Sequence, residues 1–139
     1  MLLNPKIWLT KYMFIMKLIS INYPKSPNDV TKKKYYDFIQ NLPLFFPNNP
    51  LGDNFIKMLD KFPVTPYLES RLSFMKWVHF TNNKLRESID ETKLSFSESY
   101  EEIDSRLASG WYVDSLGNGK KKRYKTKEVK FTISKKQDN

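Results

Sequence analysis

The 139 residues contain no cysteine. For the chain's own side chains that excludes disulfides, thiolate nucleophiles, thiolate zinc sites and iron–sulfur clusters. Histidine is nearly as scarce: His79 stands alone, so a histidine-rich metal site is excluded and no metal is expected. A chain this poor in the usual nucleophiles and bases reads as a binding or structural protein, not an enzyme. Long hydrophobic runs are missing as well. The most apolar early window, "IWLTKYMFIMKLISINY", is interrupted by Lys11 and Lys17 and does not read as a spanning helix of about 20 apolar residues. No small-residue cleavage site follows it, so a signal peptide is not expected either. No transmembrane segment and a soluble, intracellular protein are the resulting expectations.

What is present argues for a folded domain. The chain is 40% hydrophobic and 15% aromatic, well above the range of wholly disordered chains. Its length suits one domain, or one domain with a tail. A domain of that size buries roughly two-thirds of its unfolded surface. The net charge of +9 is unevenly placed. Residues 119–139 hold nine basic and two acidic residues, whereas the first 118 hold fifteen and thirteen. The body is close to neutral and the tail is strongly basic.

Hydrophobic spacing and punctuation predict an all-α fold, a four-helix bundle with a short fifth helix. Asn4-Pro5 opens the first helix, with Ile7, Trp8, Tyr12, Ile15, Leu18 and Ile19 on one broad face, ending before "YPKSP". Asn28-Asp29 caps the second, which carries Val30, Tyr35, Phe38, Ile39 and Leu42. After "PNNP" a third carries Phe55, Ile56 and Leu59 and is closed by "FPVTP". The fourth is expected from about Pro66 to Ser88, with Leu68, Leu72, Met75, Val78, His79 and Asn82 on one face. "SFSESYEEIDSRL" supplies a serine-capped fifth. Beyond Gly110, "WYVDSL" and "EVKFTI" flank Gly117-Asn118-Gly119, the pattern of a β-hairpin or extended basic arm. The organisation expected is a bundle over 1–109 and an arm over 110–139.

Three stretches, in order, resemble the FAD-dependent sulfhydryl oxidases of the Erv/ALR type, especially the short forms of large DNA viruses. "PKIWLTKYMFIMKLISINYPKSP" is similar to that family's opening Trp-Gly…Trp…Leu-His…Tyr-Pro…Pro helix. "YYDFIQNLP" resembles the helix leading into Leu-Pro-Cys-x-x-Cys, and "WVHFTNNKL" the His-Asn-x-Val-Asn segment. The resemblance runs from about Pro5 to Leu107 and implies a five-helix bundle that holds FAD beside a redox disulfide. Departures from the pattern bear on that chemistry. Leu44 and Pro47 occupy the two cysteine positions, and neither can form a thiolate or close a disulfide. Met13 replaces the second Trp, Lys17 the first helix's histidine and Phe80 an asparagine. Trp8, His79 and Asn83 remain at family positions, as vestigial flavin-site residues.

On this reading the chain is expected to be a catalytically inactive, sulfhydryl-oxidase-like protein without a cofactor. Its role would be that of a structural or protein-interaction component, such as a minor virion, capsid or assembly protein. Twenty lysines against four arginines, with many asparagines, hint at an AT-rich viral source. The place expected is the virion or a viral factory in the host cytoplasm. Partners are other proteins, virion structural proteins above all, with a homodimer as a further option. Anchors for them are Leu44, Phe45 and Phe46, which either fill the space left by flavin and disulfide or form an exposed apolar patch. Trp111, Tyr112, Val129 and Phe131 are the anchors on the arm. Two other functions stand beside this one: nucleic-acid association through Lys120, Lys121, Lys122, Arg123, Lys125 and Lys127, and flavin binding without thiol chemistry. Lys17 is read as a lysine keeping its ammonium in solvent along an apolar surface, with a phosphate contact as the alternative.

Overall fold

The computed structural model describes residues 3–47 and 49–108, for 49, 102 and 104–108 the backbone only. Every regular element among them is helical: α1 (Pro5–Ile21), α2 (Asp29–Asn41), α3 (Asn49–Lys61), α4 (Arg71–Ser88) and α5 (Phe96–Ala108). Two short 3-10 turns, Leu42–Phe45 and Thr65–Tyr67, lie between them. Residues 3–93 and 94–108 belong to two separate compact units. The hairpin or arm expected over 110–139 lies outside the described residues.

Caps decide where these helices begin. The Asn4 side chain accepts from the Lys6 N–H at 3.0 Å, ahead of Pro5, whose fixed φ suits a first helical turn. The Asn28 side chain accepts from the Thr31 N–H at 2.8 Å. In the second unit, the Ser95 hydroxyl accepts from the Glu98 N–H at 3.1 Å, and the Glu98 carboxylate accepts from the Ser95 N–H at 2.8 Å. The fourth helix starts later than the expected Pro66. Ser70 is extended (φ −153°, ψ 163°), caps α4 and forms a reciprocal box with Ser73, so Pro66 stays in the preceding 3-10 turn.

The buried faces correct two sequence expectations. On α1 the core side is Leu9, Met13, Met16, Lys17 and Ser20, whereas Ile7, Ile15 and Leu18 face outward. That helix is apolar around most of its circumference, so spacing alone does not select a face, and two methionines do the packing. On α4 the buried row is Phe74, Trp77, Val78, Thr81, Asn82 and Leu85, with Leu72 outside. These rows meet Ile39, Leu42, Phe55 and Leu59 in one apolar cluster. Long-range hydrogen bonds fix its ends. The Trp77 indole donates to the Phe62 carbonyl at 3.0 Å, and the Tyr23 hydroxyl donates to the Leu68 carbonyl at 2.6 Å.

Candidate functional site

Two neighbouring regions hold the residues singled out in the sequence. The first is the Leu42–Phe45 turn that ends α2. Leu42 and Pro43 are buried beneath it, while Leu44 and Phe45 point outward at 73% and 67% exposure. Phe46 turns back into the core. Its ring lies 5.3 Å from Trp8, 4.9 Å from Tyr12 and 5.4 Å from Phe55, centroid to centroid. The Tyr12 hydroxyl donates to the Phe45 carbonyl at 2.8 Å and ties the turn to α1. From the other side α3 closes on it at Gly52, where any Cβ would sit 3.1 Å from the Pro43 carbonyl oxygen. Leu44, Phe45 and Phe46 are therefore not one surface: two project and the third is a core residue. Pro47, at the second cysteine position, is exposed.

The second region is the seam between α1 and α4. Asn82, 2% exposed, donates from Nδ2 to the Met13 carbonyl at 3.4 Å. Its Oδ1 has no hydrogen-bond partner. Lys17 is buried at 6% exposure, which corrects its reading as a solvated lysine: the packed apolar row of α1 continues through it. His79 and Asn83, one turn apart on α4, are both half-buried. Burial pushes the His79 imidazole below its ordinary pKa, and the positive charge of Lys17 pushes it further. Positions 13, 17, 79 and 82 thus converge across two helices. Trp8 lies half-buried a turn or more earlier on α1, its indole donating to the Leu3 carbonyl at 3.3 Å. Phe80, on the outer side of α4, meets Phe62 edge-on at 4.9 Å under the Lys84 ammonium.

Sequence reasoning gave Asn82 no functional role, although a signal was there. An asparagine in a row otherwise filled by Phe74, Trp77, Val78 and Leu85 is a polar interruption that needs a partner. The arm residues Trp111, Tyr112, Val129, Phe131, Lys120, Lys121, Lys122, Arg123, Lys125 and Lys127 lie outside the described residues. Among the described residues, no group of acidic or histidine side chains is arranged to hold a metal ion, and no helix is long and apolar enough to cross a membrane.

With that geometry in place, comparison with known proteins identifies the family. The sequence model of the Erv1 / Alr family matches residues 11–106. The chain belongs to that family. A probable FAD-linked sulfhydryl oxidase of Acanthamoeba polyphaga mimivirus is 24% identical over 106 residues, covering 76% of this chain and 74% of the relative. The crystal structure of the yeast Erv1 core superposes with a TM-score of 0.65 at 19% identity, over 80% of this chain and 89% of that one. The FAD binding domain of Erv1 from Saccharomyces cerevisiae gives a TM-score of 0.64 at 18% identity, over 72% and 93%.

These relatives correct two expectations. The reading of the chain as not an enzyme placed it apart from a family whose relatives carry the name FAD-linked sulfhydryl oxidase. The reading that it takes no cofactor is overturned by the same name and by the match to an FAD binding domain. The physical reason is common to both. The absence of cysteine concerns two positions of one turn, whereas the family match extends over residues 11–106 and the likeness to the solved structures is one of the helical fold.

Proposed function

We propose that this chain is an FAD-holding domain of the Erv1 / Alr type that acts together with a partner protein docked at the Leu42–Phe45 turn. The observation that supports it most is the α1–α4 seam. There, half-buried His79 and Asn83 lie beside a buried asparagine with an unused acceptor. Ring-binding sites need polar groups of this kind, partly open and converging in an apolar surround. Trp8 offers an aromatic face to the same ligand, and Lys17 a positive charge. Bound there, FAD supplies acceptance of two electrons from a thiol pair. The chain's own residues hold and orient the ring and exclude water from it; the thiol pair has to arrive on another protein, because Leu44 and Pro47 stand at the cysteine positions.

Leu44 and Phe45 then form an apolar contact where that partner approaches. The mimivirus relative and the lysine-over-arginine bias favour a large DNA virus as the setting, and a virion or assembly protein as the partner. A second reading, polyanion binding through Lys120, Lys121, Lys122, Arg123, Lys125 and Lys127, is favoured by the concentration of nine basic residues in 119–139.

The test is purification of the protein expressed with ample riboflavin. Near-stoichiometric FAD should travel with it through gel filtration, and oxygen uptake with dithiothreitol should stay at the level of flavin without a protein dithiol. Colourless protein that gains no thermal stability from added FAD overturns the proposal. Turnover like that of a cysteine-bearing family member overturns the need for a partner.

A further inference from the structure

We infer that Asn82 is a ligand-binding residue, whose Oδ1 accepts a hydrogen bond from the imide N–H of the bound flavin ring. The inference rests on the proposed FAD-holding function and names the residue that selects the ring. Buried polar atoms in folded proteins nearly always have a partner, and leaving one unpaired costs about 1–3 kcal/mol. Asn82 Oδ1 has none, while the same amide spends its Nδ2 on the Met13 carbonyl. Turning the amide over does not remove the problem. Oδ1 would then face the Met13 oxygen, acceptor against acceptor, and the orphan would become an Nδ2. The free atom is an acceptor, so what it lacks is a donor.

Its position indicates which donor. Asn82 lies three residues after His79 and one before Asn83, in a segment whose family pattern has valine at that point. The backbone carbonyl it holds follows Tyr12, the residue tied to the Phe45 carbonyl of the turn. A flavin that takes electrons from thiols at that turn would have its ring system, not its adenine, beside this middle stretch of α1. The ring's own N–H is the imide, flanked by two carbonyls, and an amide oxygen is its natural complement.

The experiment compares wild type, Asn82→Val and Asn82→Thr, titrated with FAD, riboflavin, 3-methylriboflavin and ADP by flavin fluorescence and thermal shift. Valine removes the oxygen, and threonine returns one within the same shape. Wild type should bind riboflavin about tenfold more tightly than 3-methylriboflavin, whose imide N–H is blocked. Asn82→Val should lose that discrimination and about tenfold in FAD affinity, with an unliganded melting temperature equal to or above wild type. Asn82→Thr should recover part of the affinity. If wild type ignores N3 methylation, or Asn82→Val binds FAD as wild type does, the orphan oxygen holds only water and the inference fails alone. A loss confined to ADP places the oxygen at the adenine and overturns the ring assignment. Absence of any flavin binding by wild type overturns the proposed function as well.

Discussion

Tyr23 shows how much one side chain can fix. Its hydroxyl donates to the Leu68 carbonyl, its own carbonyl accepts from Arg71 Nε, and its ring packs against Tyr35 and Phe74 at 4.6 and 5.0 Å. Burial, followed by the charges of Tyr35 and Glu69, pushes its hydroxyl up to about 12. The unfolded chain ionises near 10, so between pH 10 and about 12 the native state keeps a proton that the unfolded state has lost. Stability from this group is complete below pH 10 and falls through that window. Tyr23→Phe should therefore cost about 1 kcal/mol at neutral pH, by urea unfolding, and should flatten the alkaline decline. His79 works in the opposite range. With its folded pKa below 6.5, the unfolded state binds the proton first, so stability is complete above 6.5 and falls as pH drops through the lowered value. Lys17→Met should raise the His79 pKa in an NMR titration, while leaving it short of the free value because burial is the larger cause. An unchanged pKa would mean that Lys17 does not act on the imidazole.

At the scale of elements, the turn after α2 separates packing from surface within three residues. Phe46→Ala empties a cluster of Trp8, Tyr12 and Phe55 and should cost about 3–5 kcal/mol. Leu44→Ala, at an exposed position, should stay within about 0.5 kcal/mol. Equal effects in denaturant unfolding would refute this division. Ser70→Ala removes the α4 cap and should cost about 1 kcal/mol. Helix starts at Asn4, Asn28 and Ser95 were legible in the sequence because capping is local, one side chain to one N–H two or three residues on. The α4 start was less so, since Pro66 and Ser70 both offer a beginning and only the extended backbone at Ser70 chooses. Which side of α1 packs was not legible, because Ile7 and Leu9 are equally apolar and the choice belongs to α4. The site was half legible. His79 and Asn83 were singled out by the resemblance of "WVHFTNNKL" to the family's segment, whereas the orphan on Asn82 is a fact about what surrounds it.

For the molecule as a whole, a ligand that binds only the folded state raises its stability by mass action. FAD at a hundredfold excess over Kd should add about 2.7 kcal/mol, read as a rising melting temperature in scanning calorimetry. A flat response would show that nothing couples the flavin to folding. The charge distribution makes a separate statement. Because the basic residues gather in 119–139, association through them with an acidic partner or a nucleic acid should weaken steeply from low to moderate salt. Docking at Leu44 and Phe45 should be nearly indifferent to it.

The tie between the Tyr12 hydroxyl and the Phe45 carbonyl has one more consequence. It holds a bend whose cysteine-bearing counterparts carry sulfur chemistry, and it does so with an ordinary hydrogen bond. With no sulfhydryl in these 139 residues, their folding has no oxidation step, needs no disulfide isomerase and leaves no scrambled pairings. The domain should reach the same state in a reducing cytosol and in an oxidising organelle, indifferent to the glutathione poise of either.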